Sequence, residues 1–221
     1  MERVTQVPNY SSICILRLSA IGDVCHAVSA VQAIQKAHPN AKITWVMGKI
    51  EAMLLADLPG VELVVFDKKQ GKDALKKLTH SFKGQQFDVL LNMQVALRAG
   101  FVAGCIPAKV KIGFDWARSK ELHSLFINKR IAPQKEAHVL EGFKGFAGAI
   151  GAKDYSPTWD MPYTLADENK ADALLGPAYL ANKLLVISPA ASKAQRNWLP
   201  ERYAALADYA HEQGFNVVLT G

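Results

Sequence analysis

Cysteine is scarce: Cys14, Cys25 and Cys105 are the only three in 221 residues, with no CxxC pair and no Cys/His ligand spacing. That excludes a disulfide framework or zinc module and fits reduced thiols of a cytosolic protein. No apolar run is long enough to cross a bilayer, and the first ten residues lack the apolar core of a signal peptide. Neither a Walker A loop nor a GxGxxG turn follows the first strand-like segment, which argues against a nicotinamide dinucleotide. Basic residues are scattered, without an aromatic-interleaved stripe, so nucleic acid is a poor fit. Repeats and low-complexity tracts are missing too.

What is present is an ordinary globular composition, 50% hydrophobic and 21% charged. A chain this long buries a substantial core without metal or disulfide. The length fits one large domain or one and a half. The formal charge of +6 suits a lysine-rich surface, an acidic substrate or an anionic membrane face.

Strand-like and helix-like segments alternate from about residue 12 onwards. Residues 13–18 are apolar and β-branched, as in a buried parallel strand. From Gly22 to Ala37 the positions Val24, Ala27, Val28, Val31 and Ile34 share one helical face, and His38-Pro39-Asn40 stops it. Further strands are expected at 42–47, 61–66, 87–91 and 109–113, with helices at 50–57, 71–82 and 94–105. Residues 114–136 break the rhythm before a helix at 137–150. A connector over 152–165, a helix near 167–176, a strand at 183–188, a helix at 200–213 and a strand at 216–220 follow. This βαβ series predicts an α/β fold with a doubly wound parallel sheet over 1–165 and the beginning of a second such domain over 166–221. The chain stops at a strand entering a turn, so it is expected to be incomplete.

Asp23 stands where the first strand gives way to a helix. Two compatible readings apply: an N-cap that accepts backbone N–H bonds, or a general base at the carboxyl end of a strand, where open α/β sheets hold ligands. The stretch Ser188-Pro-Ala-Ala-Ser192-Lys193-Ala-Gln-Arg196-Asn-Trp198 follows a strand and precedes a helix. Ser192, Lys193 and Arg196 offer a hydroxyl and two cations to a diphosphate; otherwise this is a solvated basic loop with Trp198 as a core anchor. Gln94 and Arg98 follow the fourth strand; Asp115, Trp116, Arg118 and Lys120 follow the fifth. Both groups are expected to face the crevice that Asp23 borders, where arginines suit carboxylates or phosphates. His138 reads as a helix cap or a site residue and His26 as a packed ring or one that reaches the crevice, the structural reading being favoured for both.

Four segments in this order, Arg17-Leu-Ser-Ala-Ile-Gly-Asp-Val-Cys-His26, Lys111-Ile-Gly-Phe-Asp-Trp-Ala-Arg118, His138-Val-Leu-Glu141 and Ser188–Trp198, resemble the ADP-heptose:lipopolysaccharide heptosyltransferases of glycosyltransferase family 9. The resemblance implies a GT-B fold, two Rossmann-like domains, the first binding the lipopolysaccharide core and the second the nucleotide-sugar. It implies inverting transfer of heptose from ADP-heptose, with Asp23 as base and no metal or other cofactor. Ser192, Lys193 and Arg196 would hold the donor diphosphate; Gln94, Arg98 and Arg118 would face the acidic acceptor. It further implies a cytoplasmic enzyme in peripheral contact with the inner membrane.

With most of a second domain lacking, the chain alone is expected to show little or no transfer. The alternatives are a non-catalytic glycolipid-binding relative and another nucleotide-using Rossmann-type enzyme.

Overall fold

A computed structural model describes residues 9–120, 122–152, 155–191 and 194–220. The first eight residues, part of the segment read above as no signal peptide, lie outside them. The chain divides into two compact units, Met1–Pro162 and Tyr163–Gly221.

The first unit runs β1 (Ser12–Leu16), α1 (Ile21–Ala37), β2 (Lys42–Met47), α2 (Lys49–Leu54), β3 (Val61–Val65), α3 (Gly71–Ser81), β4 (Phe87–Asn92), α4 (Leu97–Cys105), β5 (Ala108–Gly113), β6 (Lys129–Arg130) and α5 (Val139–Ala149). Its six strands lie in the order β3-β2-β1-β4-β5-β6, every neighbouring pair parallel. Strand side chains alternate between faces, and β1 shows it plainly. Ile13 and Ile15 enter one core with Trp45, Val28 and Phe143, beneath the packed helices α1 and α5. Cys14 and Leu16 enter another with Leu90, Leu78 and Val102, beneath α3 and α4. Apolar burial on both faces explains the near-continuous hydrophobic runs of these strands.

The winding reverses at β1: β2 and β3 extend the sheet to one side, β4 to β6 to the other. Above the carboxyl ends of β1 and β4 the connections diverge and leave a crevice.

Several boundaries differ from the sequence reading, each for a local reason. Helix α4 starts at Leu97 instead of 94, because Gln94 serves in the preceding loop: its Oε1 accepts the Leu18 N–H at 2.8 Å. The irregular 114–136 stretch holds a 3₁₀ turn at His123–Phe126 and the two-residue strand β6, which pairs Lys129 with Ile112. Helix α5 stops at Ala149, just before Gly151 with φ +98°.

The connector after α5 is bonded to the back of α1. Tyr155 Oη lies 2.6 Å from Ser29 Oγ, the Trp159 indole donates to the Cys25 carbonyl at 3.0 Å, and Gln32 exchanges bonds with Thr158 and Asp160.

The second unit contains α6 (Leu165–Leu175), α7 (Pro177–Leu180), β7 (Lys183–Ile187), α8 (Pro200–Glu212) and β8 (Phe215–Leu219). A reciprocal capping box between Thr164 and Asp167 starts α6. Strands β7 and β8 pair in parallel across α8, a βαβ unit. The short α7, opened by Pro177, was not foreseen from the sequence.

Candidate active site

The turn leaving β1 organises the crevice. The Leu16 carbonyl accepts the Met93 N–H at 3.0 Å, the Leu18 carbonyl accepts the Gly48 N–H at 2.9 Å, and the Ser19–Ala20 peptide is cis. Three strand ends are thus tied to one short turn.

From that turn Arg17 reaches inward. Its guanidinium donates through Nη1 to the Met93 carbonyl at 2.6 Å and through Nη2 to Asp23 Oδ2, while its Cζ lies 5.6 Å from the centre of the Phe143 ring. The Arg17 side chain is 11% exposed, that of Asp23 36%. Burial pulls the Arg17 pKa down and the Asp23 charge opposes it; arginine's very high intrinsic value keeps it cationic.

Asp23 occupies the third position of α1, whose N-cap is Ala20 with no side-chain capping bond. The capping reading of Asp23 is therefore corrected: the carboxylate turns to Arg17. It still lies in the first helical turn, where the helix dipole favours negative charge. His26, one turn on, meets His138 edge-on at 5.8 Å, and His138 Nδ1 accepts the Leu140 N–H at the start of α5.

Beside this pair a cleft of about 540 Å³ opens over the ends of β1, β2 and β4. Among its walls are Gly48, Glu51, Lys68, Lys69, Gln94 and Arg98. A Cβ on Gly48 would collide with the Glu51 carboxylate and stand 2.6 Å from the Leu18 carbonyl oxygen, so only glycine fits there. Asp67 accepts the Lys69 N–H at 2.9 Å and fixes the turn that presents the two lysines. Lys49, Glu51, Lys68 and Lys69 escaped the sequence reading, although they follow β2 and β3 as Gln94 and Arg98 follow β4.

Gln94 and Arg98 share this cleft, but Arg118 is not among its lining residues. Arg118 donates through its backbone N–H to Asp115 Oδ1 at 2.9 Å, through Nη1 to Asp115 Oδ2 at 2.8 Å and through Nη2 to the Glu136 carbonyl. Burial alone would push the Asp115 carboxyl up; the bonds from Arg118 outweigh it and hold the group below its ordinary range. Trp116 stacks under Arg130, whose Cζ is 3.7 Å from the ring centre.

In the second unit Arg196 ends an exposed 3₁₀ turn between β7 and α8, and the Ala191 N–H donates to Asn197 Oδ1 at 2.7 Å. Ser192 and Lys193 lie outside the described residues. Trp198 is 44% exposed and edge-on to Tyr203, a pocket wall more than a core anchor. Among the described residues no group of three or more His, Cys, Asp or Glu side chains is placed to hold a metal ion, and no helix is long and apolar enough to cross a membrane.

Comparison with known proteins decides the family. The profile of glycosyltransferase family 9 (heptosyltransferase) matches residues 75–221. The chain belongs to glycosyltransferase family 9. It is 44% identical to the lipopolysaccharide core heptosyltransferase OpsX of Haemophilus influenzae over 99% of this chain and 61% of that protein. It is 23% identical to lipopolysaccharide heptosyltransferase 1 of Escherichia coli K12 over 94% of this chain and 67% of that protein. Among solved structures, a family 9 glycosyl transferase from Veillonella parvula superposes with a TM-score of 0.84 at 21% identity, covering 98% of this chain and 64% of that one. The E. coli heptosyltransferase WaaC with ADP-2-deoxy-2-fluoro heptose superposes at 0.74 with 20% identity, covering 95% and 69%. These likenesses establish the α/β fold with its parallel sheet as that of GT-B family 9 glycosyltransferases. The chain spans about three fifths of the length of OpsX.

Proposed function

We propose that this chain serves an inverting heptosyltransferase that moves heptose from ADP-heptose to the inner core of lipopolysaccharide. The observation that carries the reading is Asp23: a partly exposed carboxylate in the first turn of α1, held by a buried arginine beside a cation-lined cleft. The 44% identity to a lipopolysaccharide core heptosyltransferase supports the substrate class.

In this reading residues 1–165 take the acceptor and 166–221 begin the donor-binding domain. Asp23 Oδ2 stays bonded to Arg17, and the other carboxylate oxygen accepts the proton of an acceptor hydroxyl. The hydroxyl oxygen bonds to the anomeric carbon as the bond to the ADP oxygen breaks, so the configuration inverts. Arg196, with Ser192 and Lys193, takes up the charge of the departing diphosphate, the role a metal ion would otherwise fill. Gln94 and Arg98 orient the acidic acceptor from the cleft wall, and Arg118 acts from its staple on Asp115. No redox or group-carrying cofactor enters the scheme, and the reaction takes place on the cytoplasmic side, where the nucleotide-sugar is available.

The test is Asp23→Asn in the enzyme, followed by ADP release. Turnover should fall by about 10²–10⁴-fold with acceptor binding kept. Unchanged turnover would remove Asp23 as base, and acceptor binding without turnover in the unaltered enzyme would favour a binding-only relative.

A further inference from the structure

The six-stranded sheet ends in two unlike edges. On one side β6 closes it with two residues, Lys129 and Arg130, both charged, and Arg130 is folded onto Trp116 and bonded to Ser124. Short, charged edges keep a sheet from pairing with other chains. The opposite edge, β3, has no such device. Its five residues, Val61-Glu-Leu-Val-Val65, keep an unbroken register with β2 and include neither proline nor lysine, and Glu62 is tied to Lys42 and Thr44 of β2. The Phe66 N–H donates to the Met47 carbonyl at 2.7 Å. Backbone groups alternate in direction along a strand, so Glu62 and Val64 bond to β2, while Val61, Leu63 and Val65 turn their N–H and C=O groups to the open side. Among the described residues no strand pairs with that side.

A groove of about 640 Å³ follows the same edge. Ala52 and Met53 of α2 wall it on one face of the sheet, Ala74 and Leu78 of α3 on the other, with Val64 and Val65 between them. Its rim is cationic, with Lys49 and Lys77 both exposed. Lys77 bonds only a neutral group, Gln70 Oε1 at 2.7 Å, so its charge is uncompensated. The acids beside it are engaged: Asp67, which also lines the groove, caps its own turn, and Asp73 pairs with Lys76.

From this we infer that β3 receives an extended, acidic segment of a partner protein as a seventh strand. The open N–H and C=O groups supply main-chain bonds, alternate apolar side chains enter the α2 and α3 walls, and flanking carboxylates meet Lys49 and Lys77. A second copy of this chain suits the edge less well: two β3 strands paired about a two-fold axis bring the lysines of both copies to one seam, like charge against like. Lys49 and Asp67 also wall the cleft beside Asp23, so the added strand abuts the candidate site. Such docking requires nothing of the transfer reaction proposed above.

The test is fluorescence anisotropy of the 221-residue chain with a fluorescein-labelled peptide, Glu-Glu-Val-Ile-Val-Glu-Glu. Saturable binding is expected, with a Kd below about 1 mM. N-methylation of the three central peptide amides should weaken it about tenfold or more, because an added strand is held by its backbone N–H groups. Lys49→Glu/Lys77→Glu should weaken it by about the same factor. A control with the same charge change elsewhere, Lys36→Glu/Lys170→Glu, should retain most of it. All four lysines are exposed, and far-UV circular dichroism checks folding. An absence of saturable binding, equal binding of the methylated peptide, or an equal loss in the control pair would each overturn the proposal. So would dimers in analytical ultracentrifugation that Val65→Pro, which removes an outward N–H, converts to monomers; that result would assign the edge to a second copy.

Discussion

Arg17 and Asp23, six residues apart, form an ion pair across the turn that leaves β1, and the second arm of the arginine is fixed to the Met93 carbonyl at 2.6 Å. Replacing the fork with an apolar side chain frees the carboxylate to rotate.

Arg17→Met is therefore expected to lower turnover by about 10²-fold, the scale of a misplaced catalytic group. Arg17→Lys should restore only part of it, because a single ammonium does not reproduce the two-point fork. Steady-state rates of the three proteins check both statements. Equal rates for Met and Arg would show that Asp23 needs no anchor.

His123 makes stability depend on pH. Its Nε2 accepts the Phe114 N–H at 3.2 Å, and burial, with the charge of Arg130 second, pushes the imidazole down to about 4. The unfolded chain takes up this proton below its ordinary value of 6.5, the folded chain only near 4. The contribution is thus complete above pH 6.5 and is lost as pH falls towards 4, by roughly 1–3 kcal/mol. His123→Asn keeps an acceptor without the titration. Urea midpoints between pH 7 and 4.5 should drop more steeply for the unaltered chain than for the variant.

Asp88 fastens the start of β1 to β4 and β5. Its carboxylate accepts from the Ser11 N–H at 2.8 Å, the Ser11 hydroxyl at 2.7 Å, the Ser12 N–H at 3.1 Å and Lys109 at 2.7 Å. The Lys109 bond, followed by those from Ser11, holds it well below the usual carboxylate range. A depressed value means stabilisation that is full above the unfolded carboxylate pKa and lost in acid. Asp88→Ala should cost about 1–3 kcal/mol at neutral pH, read as a lower thermal midpoint, and the difference should shrink as the pH falls below about 4.

The regular part of the fold was legible because its signals are long and periodic. Strand β2 runs over 42–47 as expected, and α1 differs by one residue at its start. Strand β6 was not, since two polar residues, Lys129 and Arg130, carry no periodicity. The beginning of α4 was misread because Gln94 satisfies the N–H of Leu18, 76 residues away, information that no local window contains.

At the site, Asp23 could be placed from strand–turn–helix order alone. Its partner could not, because the pairing depends on the turn folding Arg17 back beneath the helix. The cleft lysines could have been found by applying to β2 and β3 the rule applied to β4. For Arg118, the sequence shows a cation after β5 but not that the Asp115 carboxylate and the Glu136 carbonyl occupy it.

Helix α1 is clamped at its first turn by Arg17 and along its back by Tyr155, Trp159 and the Gln32 bonds. A helix so bolted down behaves as an anvil. If Asp23 is the base, it does not travel to meet a hydroxyl; the sugar has to be brought to it. Substrate discrimination then falls to whatever delivers that hydroxyl, and variation that changes acceptor preference belongs in the lysine-bearing turns after β2 and β3 and not in α1.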